Sequence, residues 1–278
     1  MRGTLTKLWA YGSMLLVAAI VLFLFGYVFY QGAGTITVEF LTQAPRGAVL
    51  GEEGGISPAI VGSLCFTGTA VVLGGIPAIA TALYLVFYCK SKRLAGAIRT
   101  VIQCISGIPS IVLGLFAYSF LVRDLQWGRC ILSAGVALAI MILPFIEVRA
   151  EKAFRELPSQ MLQASYALGC SRFYTVWKIV LPACRGELVS GVILGGCYAM
   201  GATAPLIFTG AVAYAGIPSS LTVPAMALPL HLYLLVAQGA TSMDMAYGTA
   251  FVMMALILIS SLLATLYARR SQKKWSSS

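Results

Sequence analysis

The sequence predicts an all-α integral membrane protein that crosses the bilayer six times. Of its 278 residues, 59% are hydrophobic and only 10% are charged, whereas soluble domains carry roughly 25% charged residues. Four segments reach the roughly 20 apolar residues that a helix needs to cross the hydrocarbon, namely 8–30, 56–88, 188–212 and 245–268. Two shorter apolar segments, 100–122 and 131–146, bring the number of spans to six, and no separate soluble domain is expected at either end.

The length of each segment indicates how it crosses. The N-terminus has the basic start of a signal peptide, but its apolar run is longer than the roughly 7–15 residues of a signal-peptide core. We therefore expect a retained first span. The second segment is long enough to tilt or to include an extra surface helix at 56–61, and the fourth segment, 131–146, is short.

The distribution of charge orients the spans. The chain carries 19 lysines and arginines, and all but Arg46, Arg123 and Arg129 fall on one side of a six-span arrangement. Positively charged loops stay in the cytoplasm, so both termini are predicted to be cytoplasmic. The net charge of +10 is explained by this orientation and indicates no nucleic-acid partner.

Ionisable side chains are scarce within the predicted spans. Carriers coupled to protons or ions place such groups inside the membrane, whereas Glu147 and Glu187 are expected at cytoplasmic ends and His231 in an outer segment with a structural or interfacial role. A secondary transporter, an intramembrane enzyme and a metal site are therefore disfavoured. The sequence also lacks the GxxxxGK(S/T) loop that binds nucleotide phosphates, so a partner must supply the energy for any uphill transport.

The longest polar stretch between spans, residues 149–185, predicts a helix, a glycine turn and a second helix. Ser159 is expected to cap the first helix, Gly169 to form its C-terminal turn, and Ser171 to cap the second helix. The second helix carries an apolar stripe at helical spacing, formed by Phe173, Val176, Trp177, Val180 and Leu181. This pair indicates a docking site for another protein, and an amphipathic helix lying on the bilayer surface is the alternative.

The spacing within this stretch resembles the EAA loop of ABC-transporter permeases. That pattern reads Glu-Ala-Ala, three residues, Gly, nine residues and Ile-x-Leu-Pro. Its places are taken here by Gln163, Ala164, Ser165, Gly169, Ile179, Leu181 and Pro182. The acid and the second alanine differ. The resemblance implies that these residues, with Phe173 and Trp177 as aromatic anchors, couple the chain to a cytoplasmic ATPase.

Two predicted spans contain residues that interrupt a helix. They are Ser106, Pro109 and Ser110 in the third span and Gly201, Thr203 and Pro205 in the fifth. A proline cannot donate to the carbonyl four residues before it, and backbone groups freed in a membrane must face protein or a water-filled path. The breaks indicate a polar translocation path, and ordinary proline kinks with small packing residues remain the alternative.

Segments 107–122 and 201–210, on either side of the EAA-like loop, resemble the PstA permeases of phosphate ABC transporters. The resemblance implies a type I (MetI-like) importer permease of the bacterial plasma membrane that transports inorganic phosphate by ATP-driven alternating access. The implied partners are a PstC-like second permease, a PstB-like ATPase dimer that binds ATP and Mg²⁺, and an external phosphate-binding protein. The chain itself is expected to bind no cofactor. Residues 1–55 then hold the first span and an outer loop, 56–268 the permease core with its coupling loop at 149–185, and 269–278 a basic cytoplasmic tail.

The fifth span departs from the PstA pattern Arg-x-x-Gly-Glu-Thr-Ala-Pro-Leu. Tyr198 and Ala202 stand at the arginine and glutamate positions, which the resemblance otherwise assigns to the path. Loss of both the arginine and the glutamate is consistent with a buried ion pair between them, because removing one partner alone leaves the other charge buried and unpaired. The path could hold an anion by backbone amides and hydroxyls, or selection could rest on the binding protein and the partner permease. A permease for another oxyanion or small solute, and a non-transporting scaffold or sensor that keeps the docking loop, therefore remain alternatives.

Overall fold

The computed structural model describes residues 2–47, 49–239 and 242–276. Within these residues the helices, in chain order, are α1 (Arg2–Gly32), α2 (Val38–Thr42), α3 (Ser57–Leu83), α4 (Lys92–Ser106), α5 (Ser110–Ala117), α6 (Ile131–Arg155), α7 (Ser159–Ala167), α8 (Arg172–Thr175), α9 (Leu181–Met200), α10 (Ala204–Thr209), α11 (Leu228–Gln238) and α12 (Met243–Ser276). Met1 and Ala48 of the predicted first domain, and Ser277 and Ser278 of the predicted tail, lie outside the described residues. The chain divides into two compact units, Met1–Ser57 with Leu232–Met254 and Pro58–His231 with Ala255–Ser278.

In the first unit, the end of α1 packs on the start of α12 through aromatic side chains. The rings of Phe29 and Phe251 meet edge to face with their centroids 4.6 Å apart, and those of Tyr27 and Tyr247 do so at 5.9 Å. This geometry contributes beyond the buried area alone. Gly32 allows the close approach, since a Cβ there would lie 2.6 Å from the Tyr247 carbonyl oxygen.

In the second unit, α6 packs against α4, α5, α9 and α10. Small residues bring its neighbours close: a Cβ added at Gly74 of α3 would lie 2.7 Å from the Ala139 carbonyl oxygen, and one at Gly195 of α9 would lie 2.8 Å from Ile146. Close backbone approach at small residues is how helices associate in a membrane, where burial against lipid gives little advantage. The core of this unit therefore lies along α6.

Five helical spans within the described residues are long and apolar enough to cross a membrane, and α4 with α5 forms a sixth candidate bent by 98°. The predicted all-α membrane fold is thus confirmed. The third span, predicted as one segment over 100–122, is instead two helices separated at Gly107–Pro109. The second span is helical from Ser57 to Tyr88, ending in a π turn, so the separate surface helix considered at 56–61 is not formed.

The fourth and fifth spans differ from their predicted limits. Helix α6 runs on to Arg155, whereas the predicted segment stops at residue 146. The fifth span begins at Arg172, because α8 continues through a π turn at Val176–Val180 into α9, and it ends at Met200. The connection between the two spans is therefore limited to residues 156–171.

The segment that precedes α11 is fixed by buried contacts. The amide of Leu228 donates to the buried hydroxyl of Ser63 at 2.8 Å. The amide of Val212 donates to the Ala225 carbonyl, and the amide of Ala225 donates to the Gly210 carbonyl. His231 is buried in α11, and neither ring nitrogen has a hydrogen-bond partner among the described residues. Its structural or interfacial role stays a prediction.

Candidate functional site

The connection between α6 and the fifth span forms the helix, turn and helix that the sequence predicts. Gly169 follows α7 with φ +78°, its amide donates to the Tyr166 carbonyl, and the amide of Cys170 donates to the Ser165 carbonyl. This is a Schellman motif, in which glycine takes the left-handed conformation. The hydroxyl of Ser171 accepts from the Tyr174 amide at 3.2 Å and so caps the second helix.

The predicted cap of the first helix is wrong. Pro158 occupies the capping position of α7, Ser159 is the first helical residue, and no side chain caps this end. The chain can enter the helix here because the fixed φ of proline is compatible with helix entry. A cap at Ser159 would start the helix at residue 160, whereas α7 begins one residue earlier, at Ser159 itself.

A buried hydrogen bond joins the two helices of the connection. The hydroxyls of Ser165 and Thr175 lie 2.8 Å apart, and both side chains are buried. Thr175 also donates to the Ser171 carbonyl at 3.0 Å, so Ser165 is the donor to Thr175 when both bonds are made. Ser165 stands where the EAA pattern has alanine, and no local pattern indicates that Thr175 is its partner.

The predicted apolar stripe of the second helix is divided between two faces. Val176 and Val180 are buried, with Val180 packed in a cluster that includes Phe154. Phe173 and Trp177 are 65% and 58% exposed, and their ring centroids lie 5.9 Å apart. The π turn at Val176–Val180 is wider than an α-helical turn, so spacing at a period of 3.6 does not place these residues on one face.

The remaining residues of the EAA-like pattern are spread over the connection and the start of the span. Gln163 and Ala164 are exposed on α7, next to the exposed Leu168. Ile179, Leu181 and Pro182 are half-buried within the continuous helix. The exposed part of the loop therefore consists of one face of α7 and the aromatic face of the second helix, with Gly169 between them.

A cavity of about 650 Å³ lies among α4, α5, α6 and α9. Four residues predicted for the translocation path line it: Ser106, Pro109, Ser110 and Tyr198. The break between α4 and α5 forms part of its wall, since α5 starts at Ser110. The interruption in the third span therefore borders an open space, as a path requires and an ordinary packed kink does not.

The other four predicted path residues surround the second break and do not line this cavity. Gly201 is exposed, Ala202 and Thr203 are half-buried, and Pro205 is buried. Pro205 packs on α5, where a Cβ added at Gly114 would lie 2.9 Å from its Cα. The second break thus supports the helix that carries Ser110, and it contributes no wall residue.

Arg149 also lines the cavity, although the sequence assigned it only to the polar loop. Its guanidinium carbon lies 5.0 Å from the centre of the Phe145 ring, and that ring stacks on Tyr198 with centroids 6.3 Å apart. A cation over an aromatic face is attracted by the ring quadrupole. The spacing of Phe145 and Arg149, four residues apart on one helix, is the signal that could have revealed this pair.

The loop end of α6 carries an ion cluster beside the cavity. One carboxylate oxygen of Glu151 accepts from Arg99 of α4 at 2.8 Å and from Arg155 at 2.7 Å. Glu147, expected at the end of a span, is buried because α6 continues past it, and one of its oxygens has no hydrogen-bond partner among the described residues. Glu147 thus lies within the helix of the fourth span, in the half nearer the loop.

Comparisons with known proteins identify the family. Residues 70–273 match the model of the binding-protein-dependent transport system inner membrane component family. A probable phosphate transport system permease protein PstA of Methanocaldococcus jannaschii is 31% identical over 74% of this chain and 73% of its own length. A probable ABC transporter permease protein YqgI of Bacillus subtilis is 26% identical over 90% of this chain and 89% of its own.

Solved structures share the fold. One chain of the MetNI methionine ABC transporter in an inward-facing conformation matches 77% of this chain and 94% of its own, with a TM-score of 0.61 and 18% identity. A chain of a bacterial alginate ABC transporter, in complex with a periplasmic protein that binds an alginate pentasaccharide, matches 95% of this chain and 96% of its own, with a TM-score of 0.68 and 16% identity. The chain is a multi-pass membrane transport component, not an enzyme, and it belongs to the family of binding-protein-dependent transport system inner membrane components.

Proposed function

We propose that this chain is a permease subunit of an ATP-driven importer of inorganic phosphate and forms half of its translocation path. The cavity of about 650 Å³ carries the proposal, because a helix break, two serine hydroxyls and a guanidinium meet there between helices. Binding sites between helices of a bundle are typically of this size and combine apolar walls with a few polar groups. The likeness to a PstA protein over 74% of the chain supports phosphate as the substrate.

The loop at 156–171, with the start of the second helix, is the proposed site of energy input. Leu168, Phe173, Tyr174 and Trp177 are exposed there, the rings of Phe173 and Trp177 are in contact, and large aromatic side chains often dominate protein interfaces. We assign this surface to a groove on a PstB-like ATPase, which would bind ATP and Mg²⁺. The loop must then lie in the cytoplasm, which agrees with cytoplasmic termini in a bacterial plasma membrane and with the excess of basic residues on that side.

The complete transporter would contain a PstC-like second permease, two PstB-like ATPase subunits and an external phosphate-binding protein. The exposed apolar side chains of α1 are available to lipid and to the second permease. An external binding protein is the partner that the family description itself names. This chain would then contribute the coupling loop and one side of the path.

The test is ATP-dependent uptake of labelled phosphate by vesicles that hold the complete transporter, with sulfate and molybdate as competitors. We expect uptake that excess unlabelled phosphate abolishes and that the other two oxyanions reduce little. Stronger competition by sulfate or molybdate would assign the transporter to another oxyanion, which the loss of Arg and Glu at Tyr198 and Ala202 would then explain. ATP hydrolysis without uptake of any of them would favour the non-transporting scaffold or sensor.

A further inference from the structure

We infer that Arg149 is the anion-binding residue of the cavity and supplies, from α6, the positive charge that the fifth span lacks at Tyr198. The inference rests on the proposed function, since it assigns a subsite to the same phosphate path. Arg149 lines the cavity together with Tyr198, whereas Arg99 and Arg155 are engaged with Glu151.

The position of Arg149 is built by its neighbours. Gly191 of α9 faces its aliphatic stem, since a Cβ added at Gly191 would lie 3.6 Å from the Arg149 Cβ and 3.8 Å from its Cδ. A larger residue at 191 would crowd the stem. The guanidinium is held over the Phe145 ring at 5.0 Å. Contacts with α9 and α6, which both line the cavity, therefore position the aliphatic part and the guanidinium of Arg149.

The aromatic stack connects this charge to the fifth span. The Phe145 ring contacts both the guanidinium of Arg149 and the ring of Tyr198, which stacks on it with an angle of 24° between the ring planes. Tyr198 stands at the position where the PstA pattern has arginine. The Arg149 guanidinium is thus on the same cavity wall as position 198. In this chain α6 carries the positive charge, whereas the PstA pattern carries it on the fifth span.

The remaining polar groups of the cavity suit a tetrahedral oxyanion. Gln103 and Ser110 contribute an amide and a hydroxyl to the wall. The Ser106 hydroxyl donates to the Gln103 backbone carbonyl at 2.8 Å and would have to rotate to donate to an anion. Guanidinium groups bind phosphate oxygens through paired hydrogen bonds. An inorganic oxyanion is far smaller than about 650 Å³, so it would keep part of its water shell. Most of the remaining side chains of the wall are apolar and offer the ion no hydrogen bonds, so the ion would be bound weakly, as transport requires.

Arg149 borders two cavities, so the side on which an anion would bind has to be considered. Arg149 also borders a cavity of about 430 Å³ that is lined by Lys152, Glu156 and Glu187. The Lys152 ammonium lies 3.7 Å from Glu156, so its charge is offset. The position that we assign to phosphate is on the side of Arg149 that borders the larger cavity, which Ser106 and Ser110 also line.

The experiment measures KM and maximal rate of phosphate uptake for the complete transporter with Arg149→Gln. Loss of a charged hydrogen-bonding partner predicts a rise in KM of roughly 10- to 100-fold, with the ATPase subunits still bound. Arg93→Gln is the matched control, since it removes an exposed arginine of α4 far along the helix from the cavity wall, and its KM should stay within about twofold of wild type.

Returning the charge to α9 separates a binding role from a structural one. Arg149→Gln combined with Tyr198→Arg should recover most of the lost phosphate affinity if a positive charge on this wall is what phosphate needs. Ser110→Asp provides a test that leaves Arg149 in place: an acid is favourable at the first turn of a helix, so α5 should form, while the added negative charge should raise KM at least about tenfold.

An unchanged KM in Arg149→Gln, or in Ser110→Asp if the first variant does not assemble, would overturn the inference while leaving phosphate uptake by the wild type intact. A loss in Arg149→Gln that Tyr198→Arg does not reverse, with a normal KM in Ser110→Asp, would likewise overturn it. A wild-type transporter that takes up no phosphate would overturn the proposed function and this inference together.

Discussion

Substitution of Gly169 should lower the amount of phosphate transported per ATP hydrolysed. The size of the effect should depend on how readily each new residue adopts the left-handed backbone conformation. At φ +78° this residue is left-handed, and a Cβ placed on it would meet nothing within 4 Å. The cost of a side chain is therefore strain and not a clash. For Ala that strain is about 1–2 kcal/mol, which lowers the population of the native turn roughly 5- to 30-fold relative to its alternatives.

Asn tolerates the left-handed region and should cost least, whereas the β-branched Val should cost most. The measurement is phosphate transported per ATP hydrolysed by the complete transporter, which should fall in the order Gly169, Asn, Ala, Val. Gly96→Ala is the control, since this glycine of α4 also has open space around it and no positive φ, and its ratio should match the wild type. A normal ratio in Gly169→Val, with normal assembly, would refute the coupling role of this turn.

Three further changes test the loop and the fifth span. Thr175→Val leaves the buried hydroxyl of Ser165 without its hydrogen-bond partner, which should destabilise the loop by about 1–3 kcal/mol. Hydrogen exchange of the α7 amides should therefore be faster. Trp177→Ala should weaken binding of the ATPase subunit by about 2 kcal/mol, or roughly 30-fold, in a titration of the purified proteins. Ala202→Glu alone should reduce phosphate uptake more than the same change combined with Tyr198→Arg, because a negative charge at this half-buried position is then left without a partner.

Each of these changes has a control or a contradicting result. Thr100→Val removes an exposed hydroxyl and should leave exchange in α7 unchanged, and equal exchange in the two variants would argue against the buried bond. Trp127→Ala removes an exposed tryptophan outside the loop, and an equal loss of ATPase affinity there would contradict the docking surface. Equal loss of uptake in the single and double variants at 198 and 202 would contradict the pairing relation.

The turn of the coupling loop could be read from the sequence because its determinants are local. A glycine between two helical patterns predicts a left-handed C-cap, and a serine two residues later predicts an N-cap; Gly169 and Ser171 adopt these roles. The apolar segments likewise predict the spans, since their length and composition match the hydrocarbon. These features depend on few residues and on no partner elsewhere in the chain.

The continuity of α8 with α9 could not be read in the same way. Pro182 lacks the amide that would continue an α-helical ladder, and the sequence predicts the loop helix and the fifth span, 188–212, as separate segments. The amide of Leu181 instead bonds the Val176 carbonyl, five residues back, and this π turn carries the chain past the proline. The same turn shifts Trp177 away from Val180, which is why the predicted single stripe was wrong.

The cavity depends on contacts between distant parts of the sequence. The sequence located a break at Pro109, but the 98° bend brings Ser110 to the wall, and packing of Pro205 on Gly114 supports α5 in that direction. Arg149 was missed for a similar reason: a basic residue after an apolar segment indicates membrane orientation, and only the stack on Phe145 places it in the cavity. Non-local packing, which no short pattern encodes, decides these positions.

If this chain forms part of an ATP-driven phosphate path, the complete transporter must accumulate phosphate against its concentration gradient. Vesicles holding the complete transporter, its binding protein and ATP should concentrate labelled phosphate above the outside level. The accumulation should disappear when ATP is withheld. Steady ATP hydrolysis by an intact transporter, with phosphate inside never exceeding phosphate outside, would contradict the account.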